Sequence, residues 1–336
     1  MSHLCLDSNS YMMIELYPLK FHPVFKEKIW GGSKIKQVLG KNDVPANCGE
    51  SWEISGVGGN VSLVKEGALK DKSLTQLIDT FKADLVGEAN FSRYGNEFPL
   101  LIKFLDANDD LSIQVHPNDE LAKQRHNSLG KTEMWYVVQA DENAKLISGF
   151  SKTTEKAEFS EKVTTGKLTE ILNIEEANQG DTFFIPAGRV HTIGKGLLIA
   201  EIQQTSDVTY RIYDFDRTDT KGNKRELHID EALDAIDYGE INDSKVRYTP
   251  QDQQVVTLVN SEYFTTNKMT LSENYERSYQ SLDSFKILIC IDGAAEIDCM
   301  GQLVQLEKGE TCLLPAICDG FKAEPKGSVT LLESYT

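Results

Sequence analysis

Gln114, His116, Glu133 and His191 are the residues whose types and spacing could do chemistry together. One carboxylate and two imidazoles suit a divalent metal of the zinc or iron type. The amide oxygen of Gln114 would add a neutral fourth ligand. Such a set leaves room for water or substrate. Gln114 and His116 stand two apart in LSIQVHPND, residues 111–119. That run alternates like a strand, so the two share one face while Ile113 and Val115 take the other. Glu133 opens the apolar run EMWYVV, and His191 follows the turn in IPAGRVH. A lone strand histidine is more often packed or hydrogen-bonded than a ligand. The combination is what points to a metal.

Strands must position these groups. Short strands with turns are predicted over residues 16–65, and again after Pro99 in LLIKFLDA and LSIQVHP. Between them, Leu74, Leu77, Ile78 and Phe81 fall at helical spacing, so 73–94 reads as a helix with Ser73 as N-cap. A helical insertion is expected over 117–130, with Pro117 and acidic residues at its start and Gly130 at its end. It separates His116 from Glu133 in sequence. Residues 228–241 read as a short amphipathic helix, and everything from 253 onward as strand and turn.

Two segments repeat. GDTFFIPAGRVHTI begins at Gly180 and GETCLLPAICDGFK at Gly309; in each, Pro-Ala comes six residues after the glycine. A strand pair with a turn precedes both. The pattern predicts two related small β-barrels in tandem. Aligning Pro315 with Pro186 puts Gly320 where His191 stands, and residues 253–336 contain no histidine. The second unit is therefore expected to be metal-free and structural, burying a face of the first or closing its sheet edge.

A chain of 336 residues is long for one core, which agrees with two units. The net charge of −17 argues against nucleic acid or anionic membrane as the main partner. One local basic pocket could still hold one phosphate. The N-terminal stretch MSHLCLDSNSYMMIELYP has no basic region followed by an apolar core, so no export signal is expected. Cys5, Cys48, Cys290, Cys299, Cys312 and Cys318 make no CxxC pair. Free buried thiols in a reducing cytoplasm are the expectation.

Gly180, Pro186 and His191 are spaced as in the second conserved motif of cupin barrels, and Gln114-x-His116 with Glu133 resembles the first motif, stretched by the insertion. More narrowly, FLDANDDLSIQVHPND, GKTEMWYVV, IPAGRVHTIGKG and EIQQTSDVTYRIYDFDR resemble the class I mannose-6-phosphate isomerases, with the nearest likeness to their short bacterial form. The likeness runs from FHPVFKEKIWGG to the end of the chain. Two departures stand out. Lys195 replaces the asparagine usual four residues after the cupin histidine, and the segment between Glu133 and His191 is only modest.

The resemblance implies a mainly β fold of two tandem cupin-like (jelly-roll, double-stranded β-helix) barrels with a few short helices. Residues 14–250 would form the catalytic barrel with its helical insertions, and 251–336 the metal-free one. It implies one zinc ion per chain on Gln114, His116, Glu133 and His191. The implied reaction interconverts mannose 6-phosphate and fructose 6-phosphate through an enediol. Lys131 matches the family's active-site lysine and is expected to assist proton transfer, its amine lowered by the nearby metal. Asp207 is expected to help open the sugar ring, with a share for His116. Arg211 would stabilise developing charge or hold the phosphate. The expected partner is a small sugar phosphate, and the chain is expected to be a monomer or homodimer. The rival readings are an iron-dependent cupin oxygenase and a catalytically inactive sugar-phosphate-binding protein on the same scaffold.

Overall fold

The computed structural model describes residues 15–218, 221–241 and 244–336. The start of the expected first barrel, residue 14, lies outside them, as does Cys5. Among the described residues, eleven strands build the N-terminal unit: β1 (Val24–Gly32), β2 (Cys48–Ile54), β3 (Leu100–Ala107), β4 (Ile113–Val115), β5 (Glu133–Ala140), β6 (Lys145–Phe150), β7 (Leu172–Glu176), β8 (Thr182–Ile185), β9 (His191–Ile193), β10 (Leu197–Gln204) and β11 (Tyr210–Tyr213). Seven build the C-terminal unit: β12 (Val255–Asn260), β13 (Thr265–Leu271), β14 (Tyr275–Ser278), β15 (Lys286–Cys299), β16 (Gln302–Glu307), β17 (Thr311–Leu314) and β18 (Gly320–Tyr335).

The first unit has two antiparallel sheets, ordered β1-β2-β3-β10-β5-β8 and β11-β4-β9-β6-β7. Alternation divides the first sheet into two faces. Along β10, Ala200 and Ile202 point to a core shared with the C-terminal unit, while Glu201 and Gln203 point the other way, towards the second sheet. That shared core joins Ile102, Met134 and Ile202 to Phe285, Ile287 and Leu332, so the C-terminal unit covers the back of the sheet that carries Glu133. Leu19 and Leu313 exchange backbone hydrogen bonds of 2.8 Å, stitching the N-terminal segment to β17.

The repeat is visible in the ladders. Gly180 (φ +90°) and Gly309 (φ +84°) both take the left-handed conformation that favours glycine. Each donates its N–H, at 2.8 Å, to the preceding long strand: to Val137 in β5 and to Cys290 in β15.

The helices depart from expectation in detail. Ser73 caps its helix in a reciprocal box with Gln76, but 73–94 is three short helices, Leu74–Phe81, Ala83–Val86 and Glu88–Tyr94. The breaks fall at Lys82 (φ +48°) and Gly87 (φ +94°). The insertion after Pro117 is a helix over Asp119–His126, capped by the Asn118 side chain, which accepts from Leu121 N at 3.0 Å. It ends at Asn127 in the left-handed conformation rather than at Gly130. The helix expected over 228–241 covers Ile229–Ala235. Cys299 and Cys318 are paired as a disulfide, which corrects the expectation of free thiols for those two; Cys48, Cys290 and Cys312 are free and buried.

Candidate metal centre and active-site cavity

His116 and Gln114 come from β4, Glu133 from the first residue of β5 and His191 from the first residue of β9. Gln114 and His191 are cross-strand partners, which brings two of the four groups together by register alone. The insertion returns the chain so that Lys131 N donates to Pro117 O at 3.1 Å, and this delivers Glu133 to the same point. Glu133 Oε2 lies 3.6 Å from His116 Nε2, and Glu133 Oε1 lies 3.5 Å from His191 Nε2. Gln114 Nε2 is 3.3 Å from His191 Nε2. Ligand atoms about 2.1 Å from a shared tetrahedral centre would be about 3.4 Å apart. The three side chains are buried, and their nearest ligating atoms all lie within 4.8 Å of one another.

Both histidines are held by their other ring nitrogen. His116 Nδ1 meets Val208 O at 2.9 Å and His191 Nδ1 meets Arg189 O at 2.8 Å. Each Nδ1–H therefore donates to a carbonyl, and each Nε2 presents a lone pair inward. Burial holds the His116 imidazole well below its ordinary range and pushes His191 down to about 4, so both are neutral. His116 Nε2 and Glu133 Oε1 are buried without a hydrogen-bond partner, and Glu133 Oε2 is met only by Lys131. Burial lifts the Glu133 carboxyl to about 7, against the pull of Lys131. Neutral imidazoles and a desolvated carboxylate aimed at one point are compatible with a divalent metal.

Lys131 is buried, with Nζ 3.2 Å from Glu133 Oε2. Burial alone would depress its amine, but Glu133 and Glu201 outweigh burial and hold it above its ordinary value. Arg211 is the β11 partner of Gln114, so it flanks the cluster. Its backbone N–H donates to His228 Nδ1 at 3.1 Å, and its Nη1 to Glu226 O at 2.8 Å. Asp207 is exposed at the cavity rim.

A cavity of about 300 Å³ opens beside the cluster. Its walls include residues that the sequence did not single out. Lys103 Nζ donates to Gln203 Oε1 at 2.7 Å and pairs with Glu201 at 3.1 Å. Trp135 is buried, donates Nε1–H to Glu201 at 3.0 Å and packs edge-on to His191. Glu201 thus faces the cavity. Trp52 donates to Glu50 at 2.6 Å, and Lys28 pairs with Glu50 at 2.9 Å. Burial would raise the Glu50 carboxyl, but Lys103 and Lys28 bring it down to about 2. A larger cleft, about 800 Å³, lies between the two units. Its four lysines face three carboxylates: Lys20 pairs with Glu310 at 2.6 Å, Lys65 shares Glu310 at 3.6 Å, Lys41 pairs with Glu53 at 2.8 Å and Lys308 with Asp292 at 3.0 Å.

A buried two-histidine, one-glutamate cluster at the base of a polar cavity, in a mainly β fold with a few helices, defines an enzyme of the cupin kind with a candidate metal site. Comparison with known proteins narrows this class. Residues 18–161 match the family described as phosphomannose isomerase type I, catalytic domain, and residues 254–336 match the mannose-6-phosphate isomerase cupin domain. The chain belongs to the type I mannose-6-phosphate isomerase family. It is 37% identical over 313 residues to mannose-6-phosphate isomerase ManA of Bacillus subtilis, covering 91% of this chain and 96% of that protein. It is 36% identical over 320 residues to the mannose-6-phosphate isomerase of Streptococcus mutans, covering 95% and 98%. The crystal structure of the Bacillus subtilis mannose 6-phosphate isomerase superposes with a TM-score of 0.85 at 34% identity, covering 95% of this chain and 99% of that one. Family membership favours an isomerase over the oxygenase and inactive-binder readings. Among the described residues, no helix is long and apolar enough to cross a membrane.

Proposed function

We propose that this isomerase interconverts mannose 6-phosphate and fructose 6-phosphate at one zinc ion per chain, held by Gln114, His116, Glu133 and His191. The observation that carries this reading is the convergence of His116 Nε2 and both Glu133 oxygens, all buried, on one point beside His191 Nε2, with only Oε2 of Glu133 met by a partner, the Lys131 ammonium at 3.2 Å. Unsatisfied buried polar atoms are costly unless something meets them. Gln114 would join by turning its amide over, since Nε2 now faces His191. Zinc bound there would supply a Lewis acid for the sugar oxygens on which charge develops.

The protein side chains do the rest. Lys131, buried beside the reacting end, carries a proton between C1, C2 and their oxygens as the enediol forms and collapses. Arg211, beside Gln114, stabilises the negative charge on the enediolate. Asp207 at the exposed rim takes and returns the hydroxyl proton that opens the sugar ring; the share expected of His116 is dropped, because its Nδ1 is bound to Val208 O and its Nε2 would hold the metal. Trp52, Trp135 and Leu111 line the cavity with apolar surface and limit water around the intermediate.

We further read residues 14–250 and 251–336 as two tandem cupin-like barrels. Support comes from β15 and β18, long strands of 14 and 16 residues, and from the shared ladder register at Gly180 and Gly309. The same reading takes the chain as a cytoplasmic enzyme, monomeric or homodimeric. A coupled assay with mannose 6-phosphate, before and after chelation and with zinc add-back, tests the main claim. Turnover should vanish on chelation and return with zinc; an inactive zinc-loaded protein refutes it.

A further inference from the structure

The larger cleft lies behind the catalytic wall. Along β2, Glu50 and Trp52 line the metal-side cavity, while Glu53 lines the cleft. β2 therefore separates the two, and the cleft is not part of the catalytic cavity. Its lysines come from both units. Lys20 lies ahead of β1, Lys41 between β1 and β2, and Lys65 after β2, while Lys308 shares the turn between β16 and β17 with Glu310. Glu310 is the acid that follows Gly309 in the repeated segment. Its counterpart Asp181 binds Lys245 at 2.7 Å within its own unit, whereas Glu310 reaches across to Lys20.

The ion pairs leave donors over. Lys20 is buried, and two of its ammonium protons go to Glu310 Oε2 at 2.6 Å and Gln305 O at 3.0 Å. Among the described residues no acceptor meets the third. Glu310 Oε2 also accepts from Glu307 N at 3.0 Å. Its Oε1 is left to Lys65 at 3.6 Å, beyond hydrogen-bond length. Burial would raise the Glu310 carboxyl, but the Lys20 ammonium holds it below its ordinary range, so it stays a single negative charge between two lysines. Lys41 is taken up by the buried Glu53. Lys308 pairs with Asp292, which is exposed, and the other carboxylates at the cleft, Asp43 and Glu307, are exposed too, where water screens them. Four lysines thus stand over two inward carboxylates, Glu53 and Glu310. Phe21 and Leu39, both buried, add apolar surface.

An interior with surplus ammonium donors suits an oxyanion, and lysine binds phosphate as a point charge. The volume, about 800 Å³, far exceeds one inorganic phosphate and falls within the range of small-molecule sites. We propose that this cleft binds a small organic phosphate, with Lys65 and Lys20 on the phosphate group and Phe21 and Leu39 against the rest of the molecule. Bound there, it bridges the two units and tightens their junction behind β2. The site is independent of the reaction at the metal centre.

The probe is glycerol 2-phosphate, titrated into the zinc-loaded full chain by calorimetry and by melting, with succinate as a dicarboxylate comparison. The wild type should bind glycerol 2-phosphate and melt at a higher temperature with it. Lys65→Ala should weaken binding at least about fivefold and lose most of the melting shift, whereas Lys65→Arg should keep most of both. Arg211→Ala, in the catalytic cavity, should leave the Lys65-dependent binding in place. If Lys65→Ala does not fold, Lys65→Gln serves in its place, with metal content and melting without ligand as controls. Binding that Arg211→Ala abolishes and Lys65→Ala leaves unchanged would place the probe in the catalytic cavity and overturn the proposal, as would no binding at all. Succinate binding as tightly, with the same dependence on Lys65, would overturn the assignment to a phosphate.

Discussion

Lys286 occupies in the C-terminal unit the ladder position that Glu133 occupies in the first. Glu133 pairs with Ile185, the residue before Pro186, and Lys286 pairs with Leu314, the residue before Pro315. The equivalence extends across the sheet. Glu201 lies between Lys103 and Trp135, and Glu333 lies between Asn267 and Leu288. Glu333 is buried and satisfied by Asn267 at 2.7 Å, by Arg277 at 3.1 Å and by the Tyr279 hydroxyl. A buried ammonium thus stands where the first unit has its metal-ligand candidate. Metal analysis should find about one zinc per chain, lost in His116→Ala and retained in Lys286→Met. A second tightly held zinc that survives His116→Ala would contradict the reading.

Lys286 also predicts a pH dependence. Its ammonium donates to the carbonyls of Ala316 at 3.2 Å and Cys318 at 2.9 Å. Burial pushes the amine down to about 8, with Asp319 and Glu333 offsetting only part of the shift. In the unfolded chain it titrates near 10.4. Between those values the unfolded chain binds more protons than the folded one, so this group makes stability rise with pH. Below both values its penalty is constant. The stability of wild type relative to Lys286→Met, from denaturant midpoints, should therefore increase from about pH 8 to pH 10. A flat or falling difference would show that the amine is not depressed.

The metal-ligand candidates were legible in sequence because each sits in a short motif: Gln114 and His116 on one strand face, Glu133 at a strand start, His191 after a Pro-containing turn. The cavity wall was not. Lys103 is embedded in the apolar run LLIKFLDA, where nothing local says which face is inward. It is the pairing of β3 with β10 that sets Lys103 beside Glu201. The break of 73–94 at Lys82 was hidden for the opposite reason: a lysine in a helical pattern gives no local sign of a positive φ.

Lys131→Met tests the proton-transfer assignment. Removing a positioned acid–base group typically lowers turnover by about 10²–10⁴-fold. The loss should fall on kcat, with metal content near that of the wild type, because Lys131 lies 3.2 Å from Glu133 without being one of the converging ligands. Loss of metal in step with loss of activity would make Lys131 a structural partner of Glu133 instead.

Arg211→Ala should reduce kcat/KM by about 10²-fold or more, mainly through kcat, with zinc content unchanged. A variant that loses metal would point to Arg211 as a support for Gln114, its partner across β11 and β4.

Gly87 and Asp283 join the two units, and a pair of glycine substitutions measures that junction. Gly87 has φ +94°, and a Cβ there would lie 2.5 Å from the Asp283 carbonyl oxygen. The Asp283 carboxylate accepts from Glu88 N at 2.8 Å and Ala89 N at 3.0 Å, capping the helix Glu88–Tyr94 from across the interface. Gly87→Ala must therefore strain the backbone and displace a charge-assisted contact, a cost of roughly 2–4 kcal/mol. Gly95, at the other end of that helix, has φ +57° and open space where a Cβ would go. Gly95→Ala bears only the conformational penalty, about 1 kcal/mol. Denaturant midpoints should show the larger loss for Gly87→Ala. Equal losses would mean that the Asp283 contact contributes little to holding the C-terminal unit against the catalytic sheet.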